Sequence, residues 1–183
     1  MLIAVTGMKG SGKDTFAHAL IKQGFIQTRF ADPLKNMLRT LFADCGVDAE
    51  DYIEGPFKEV PTDILCGKTM RHAMQTLGTE WRDTIDRKLW SNLWAKKAEL
   101  LISTGYAVVV TDCRFIHEAA MVRNMGGYIV RIERPTHRND DPHISEQEML
   151  LIEPDEIVIN DGTISKLHRK AEAMLREYHC QNH

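Results

Sequence analysis

Apolar residues follow two periods along the chain. Four short continuous runs, Leu2 to Val5, Ala107 to Val110, Tyr128 to Ile132 and Glu156 to Ile159, are bounded by glycine or polar residues. Runs without alternation suit strands buried on both faces, as in a parallel sheet. Phe25 to Phe30 is a weaker fifth candidate. Helical spacing joins Met70, Ala73, Met74, Leu77 and Trp81, then Leu89, Trp90, Leu93, Trp94, Ala98 and Leu101, and later Ile164, Leu167, Ala171, Met174 and Leu175. Strand and helix alternate at both ends, and a helix-only middle lies between them. The expected architecture is therefore α/β: a roughly five-stranded parallel sheet flanked by helices, with right-handed crossovers. One domain over 1–183 would carry a helical insertion at about 33–104. Residues 134–155, with three prolines, paired acids and little apolar periodicity, predict a surface loop or lid.

Composition narrows the class without changing the fold. The chain has 183 residues, 43% hydrophobic and 27% charged, with 26 acidic and 23 basic residues giving a net charge of −3. That balance belongs to a globular protein and argues against broad binding to a nucleic-acid backbone. The four cysteines, Cys45, Cys66, Cys113 and Cys180, form no CxxC pair, so neither a zinc site nor a disulfide framework is expected. No stretch approaches the ~18 consecutive apolar residues of a membrane span. The N-terminus reads as a strand and not a signal peptide, and a reducing, cytoplasmic setting is expected.

The chemistry begins after the first run. Gly7-Met8-Lys9-Gly10-Ser11-Gly12-Lys13 satisfies the GxxxxGK part of the P-loop pattern between a strand and a helix. Glycines let backbone amides turn toward phosphate oxygens, the helix start adds its dipole, and Lys13 reaches the β- and γ-phosphates of ATP. A ligand-free glycine turn would need neither the lysine nor the spacing. Asp14 occupies the position that normally supplies a hydroxyl to Mg²⁺, and Thr15 follows it. Either Asp14 helps hold Mg²⁺, directly or through water, or it is a helix-start residue favoured by the dipole.

Asp112 ends the most apolar run, where strand ends of a parallel sheet line a ligand crevice, and could bind Mg²⁺ through water. Arg114 could neutralise a transferring phosphoryl group or clamp an acceptor phosphate. The plainer reading makes Asp112 the cap of a helix starting near Phe115. On the helix of residues 68–82, Arg71 and Gln75 align on one face, with Arg82 at its end: an arginine suits a phosphate and a glutamine suits a base edge. A solvated polar face is the alternative. Lys35 is a further candidate phosphate contact, Arg134 and Arg138 are lid arginines able to close over ATP, and Asn160 could border the adenine. Trp81, Trp90 and Trp94 read as core, and His143 receives no role.

Together these stretches resemble the phage-type deoxynucleoside monophosphate kinases of the P-loop kinase superfamily. The resemblance lies in "GMKGSGKDT", "ADPLK", "RHAMQTLGTEW", "DRKLW", "TDCRF", "MGGYIVRIERP", "HISE" and "INDGT", in this order. It implies the P-loop kinase fold and transfer of the ATP γ-phosphoryl group to a deoxynucleoside monophosphate, with Mg²⁺ required. It places Gly7 to Thr15 on ATP and Lys35, Arg71, Gln75 and Arg114 on the acceptor side, and makes the aspartate after Lys13 a shared feature. Lys13, Asp112 and Arg114 are the expected catalytic set; Gly7, Lys9, Gly10, Ser11, Gly12, Lys13, Asp14, Thr15, Arg134 and Asn160 are expected at ATP, and Asp14 and Asp112 at Mg²⁺. One departure is Arg82, where relatives often have glycine after the tryptophan. Neither nucleic acid nor membrane is an expected partner, and a homodimer is among the expectations; a phage-borne gene would place the enzyme in the bacterial host cytoplasm. The rivals are a kinase of another phosphorylated acceptor such as phosphomevalonate and a non-catalytic nucleotide-binding module. Residues 43–67 match nothing assignable.

Overall fold

The five apolar runs become one parallel sheet. In the computed structural model, which describes residues 1–135 and 148–181, the strands are β1 (Leu2–Thr6), β2 (Ile26–Thr28), β5 (Val108–Val110), β6 (Tyr128–Glu133) and β7 (Glu156–Ile159), in the order β2-β5-β1-β6-β7. All four pairings are parallel, with Ala4 opposite both Val110 and Ile129. The central strand β1 is buried along its whole length, as its unbroken apolar run requires. Helices α1 (Lys13–Lys22) and α8 (Ile164–Gln181) pack together on this sheet. Phe16, Leu20, Leu167, Ala171 and Met174 close the core against Ile3, Val109 and Val130. Helix α7 (Ile116–Asn124) follows β5. Among the described residues no helix is long and apolar enough to cross a membrane.

The chain divides into two compact units, Met1–Arg29 with Ala95–His183, and Phe30–Trp94. The second contains α2 (Asp32–Asp44), α3 (Glu50–Ile53), α4 (Met70–Thr76), a π-helical turn (Leu77–Trp81) and α5 (Arg82–Ile85). Helix α6 (Leu89–Ser103) contains the boundary between the units. Leu38, Phe42, Ala49, Ile53 and Met70 form the core of the second unit.

Two expectations are corrected here. The middle is not helix-only: β3 (Pro61–Thr62) and β4 (Lys68–Thr69) pair antiparallel. Their turn is made by a 3₁₀ segment, then Cys66 at φ 52° and Gly67 at φ 79°. Strands of two residues leave no periodicity to read. Nor is Trp81 core: it is 40% exposed, against 7% for Trp90 and 1% for Trp94. Its ring lies 5.6 Å from that of Trp90, whose indole N–H donates to the Leu77 carbonyl at 3.2 Å. The lid expected over 134–155 falls mostly on residues 136–147, which lie outside the described residues together with Arg138 and His143. The four cysteines are free, with Cys113 buried.

Candidate functional site

The loop from Gly7 to Gly12 is built by steric exclusion. Gly7 has φ +137°, and a Cβ there would lie 2.4 Å from the Ile132 carbonyl oxygen on the neighbouring strand. Gly12 has φ +107°, and its Cβ would meet Asn160 Nδ2 at 2.6 Å and Leu167 Cδ2 at 3.1 Å. Both positions therefore demand glycine on conformational and spatial grounds. Gly10 is also left-handed, at φ +79°. Gly12 is the N-cap of α1 with no side-chain cap, so the first helical amides carry the dipole's positive end into the loop. Lys13 extends across it, its ammonium donating to the carbonyls of Gly7 at 2.7 Å and Met8 at 2.8 Å. The buried hydroxyls of Thr6 and Ser11 have no hydrogen-bond partner among the described residues.

A cavity of 450 Å³ opens beside the loop, bordered by Lys13, Asp14, Thr15, Arg134, Asn160 and Ile164. A second, of 380 Å³, lies against Gly7, Ser11, Arg131 and Met149. Asn160 was expected to border an adenine. In the structure its amide donates to the Ser11 carbonyl at 2.8 Å, bracing the loop, while its side chain also lines the first cavity. The turn that carries it is tied by Lys170, which donates to the Ile159 carbonyl at 2.6 Å and to Asp161 at 2.8 Å. Lys170 and Lys166 hold the Asp161 carboxyl well below the usual range. Lys9 is exposed and does not line the first cavity.

Asp112 and Arg114 belong to the irregular segment between β5 and α7. Val110 pairs with Ala4 in parallel, so Asp112 and the loop both leave the sheet at the carboxyl ends of β5 and β1. Helix α7 has Phe115 as its N-cap, so Asp112 is not that cap. The capping carboxylate is Glu118, a residue the motif reading missed, although its place three residues after Phe115 is the signal of a capping glutamate. Its Oε2 accepts from the amides of Arg114 at 2.8 Å and Phe115 at 3.1 Å. Burial, then the nearby Asp112 charge, pushes the Glu118 carboxyl up to about 8.

Asp14 and Thr15 bring oxygen atoms, which suit a hard cation, to the cavity beside the loop, and no cluster of three or more His, Cys, Asp or Glu exists among the described residues to form an all-protein metal cage. Mg²⁺ is commonly held by one or two carboxylates and the phosphates themselves, and this sparse donor set agrees with that habit.

In the second unit, Arg71 and Gln75 are exposed one turn apart on α4, as their spacing predicts. Neither Arg71 nor Lys35, both expected at the acceptor, projects freely. Arg71 is ion-paired with Glu59, and Lys35 with Glu54 at 2.5 Å. Both carboxylates come from the stretch 43–67, which carried no recognisable motif. Arg82 pairs with its neighbour Asp83 at 2.9 Å.

A profile of the family described as deoxynucleotide monophosphate kinase matches residues 57–171. The chain is 37% identical over 182 residues to a protein of Acanthamoeba polyphaga mimivirus that carries this family's name, covering 92% of each chain. It is 27% identical over 160 residues to the deoxynucleotide monophosphate kinase of Enterobacteria phage T4, covering 86% of this chain and 66% of that protein. The dephospho-CoA kinase of Campylobacter jejuni superposes with a TM-score of 0.59, covering 100% of this chain and 98% of that one at 14% identity. The shikimate kinase of Aquifex aeolicus does so at 0.54, covering 96% of each at 12% identity. These two speak to the fold alone, which is that of the P-loop kinases. With the profile spanning most of the chain and a relative matched almost end to end, the chain belongs to the deoxynucleotide monophosphate kinase family.

Proposed function

We propose that this chain transfers the γ-phosphoryl group of ATP to the phosphate of a deoxynucleoside monophosphate. The observation that carries the reading is the loop of Gly7 to Lys13, with glycines that admit no Cβ and a lysine at the helix start, in a chain of this family. An acceptor phosphate oxygen forms a bond to the γ-phosphorus while the bond to the β–γ bridging oxygen breaks, leaving a deoxynucleoside diphosphate and ADP. The acceptor is already an anion, so no general base is needed, and catalysis is alignment plus charge stabilisation.

The loop amides and Lys13 bind the β- and γ-phosphates, and Arg114 neutralises the group in transit. Lys35, Arg71 and Gln75 take the acceptor, and Arg134 lies on the ATP side. Bound Mg²⁺ supplies charge neutralisation at the phosphates, and Asp14, Thr15 and Asp112 are the residues to hold it. An assay of ATP consumption against dNMPs, NMPs and phosphomevalonate tests the reading. Diphosphate formation from at least one dNMP is expected; turnover of phosphomevalonate alone, or ATP binding without transfer to any acceptor, would overturn it.

A further inference from the structure

We infer that Glu118 is a positioning residue for Arg114, fixing the backbone of the segment that carries Asp112 and Arg114. The inference rests on the kinase reading, which gives Arg114 its role. Residues 111–115 have no regular secondary structure, so their amides need acceptors outside a ladder. Glu118 Oε2 takes two in succession, Arg114 N at 2.8 Å and Phe115 N at 3.1 Å. The next amide, Ile116 N, donates to Glu148 Oε1 at 3.1 Å. Three consecutive amides thus end on carboxyl oxygens.

A capping glutamate ordinarily reaches back to the N-cap amide alone and stands in solvent. Glu118 takes one amide further upstream and is only 8% exposed. It is itself anchored: the amides of Glu118 and Ala119 both return to the Phe115 carbonyl at 3.1 Å, and Ala119 and Val122 are buried. Helix start and preceding segment therefore hold each other in one geometry. A long arginine can be aimed only if its backbone is fixed, and phosphoryl transfer punishes displacements of about 1 Å with losses near a hundredfold.

The test compares Glu118→Gln, which keeps an acceptor oxygen, with Glu118→Met, which keeps length and loses it, each alone and with Arg114→Ala. Turnover is normalised to ATP-binding stoichiometry by calorimetry, so unfolded protein does not count. Gln should stay within about threefold of the parent, whereas Met should lose about tenfold to a hundredfold in kcat with ATP affinity unchanged. In the Arg114→Ala background the Met change should cost less than about twofold, because the residue acts through Arg114. Parental kcat in the Met variant, or the same loss in both backgrounds, would overturn the inference. Amide hydrogen exchange of Arg114 and Phe115 reads the contact independently of dNMP turnover: slow exchange in the parent and Gln proteins supports it, and fast exchange in the parent sinks it even if the Met protein does not fold. A parent inert toward every dNMP would instead defeat the kinase reading, with the exchange contrast still in place.

Discussion

The glycine loop after β1 and the charged face of α4 are both suited to anions, and they are made in opposite ways. The loop uses backbone amides whose directions are set by φ angles and by neighbours that leave no room for a side chain. Its conformational entropy is spent on folding, before any phosphate arrives. The second site uses long side chains of α4 and α2, each held by a carboxylate from elsewhere in its unit: Arg71 of α4 by Glu59 and Lys35 of α2 by Glu54. An exposed pair such as Arg71–Glu59 is worth about 0–1 kcal/mol. On the proposed reading, an acceptor phosphate displaces the carboxylate at modest cost. The backbone-built loop is fixed on folding; the side-chain-built set, proposed to take the acceptor, is exchangeable.

The largest expected effect is at the lysine common to loop and helix. Lys13→Ala should lower kcat by about 10²–10³ in a coupled ADP assay, and near-normal turnover would remove the loop from the chemistry. Gly7→Ala comes next. It forces φ +137° on a residue with a Cβ and drives that atom to 2.4 Å from Ile132 O. A destabilisation of about 1–3 kcal/mol by denaturant titration is expected, with ATP affinity down about tenfold or more; an unaffected loop would mean the backbone can yield. On the other side, Glu59→Gln releases Arg71, and the KM for the dNMP should fall about twofold to fivefold while that for ATP stays put. A rise in the dNMP KM would show that Glu59 aims Arg71 and does not compete for it.

The smallest effect tests the brace beneath the loop. Asp161 is held below its ordinary value by Lys170 and Lys166, so its contribution to stability exists above the ordinary carboxylate range and is lost as pH falls through the lowered one. Asp161→Asn should therefore reduce Tm by about a degree at pH 7, with the gap closing toward pH 3 and below. A gap that persists in acid would assign the effect to packing.

The same contrast explains what could be read from the sequence. The loop was legible because residue type dictates its geometry: Gly7 and Gly12 stand at positive φ with no room for a side chain, and Lys13 opens the helix after them. The parallel sheet was legible because burial on both faces leaves continuous apolar runs, and even β2, three residues long, lay inside its weak candidate. Partners distant in sequence were not legible. Nothing local to Glu54 or Glu59 announces a pairing with Lys35 or Arg71, and nothing in "INDGT" says that Asn160 will brace Ser11. The two-residue strands and the exposure of Trp81 depended on a turn and a helix irregularity that periodicity averages away.

That irregularity has a consequence for comparing relatives. A π-helical turn amounts to an α-helix with one residue inserted. Deleting a residue from Leu77–Trp81 would let α4 run on regularly from Met70 and leave everything from Arg82 onward in nearly the same phase around the helix axis, because the wide turn absorbs the extra residue. Members of the lineage that differ here by a single-codon gap would then keep the same side chains at equivalent places on either side of it and differ only within the turn. At this point of the alignment, length is itself a heritable character.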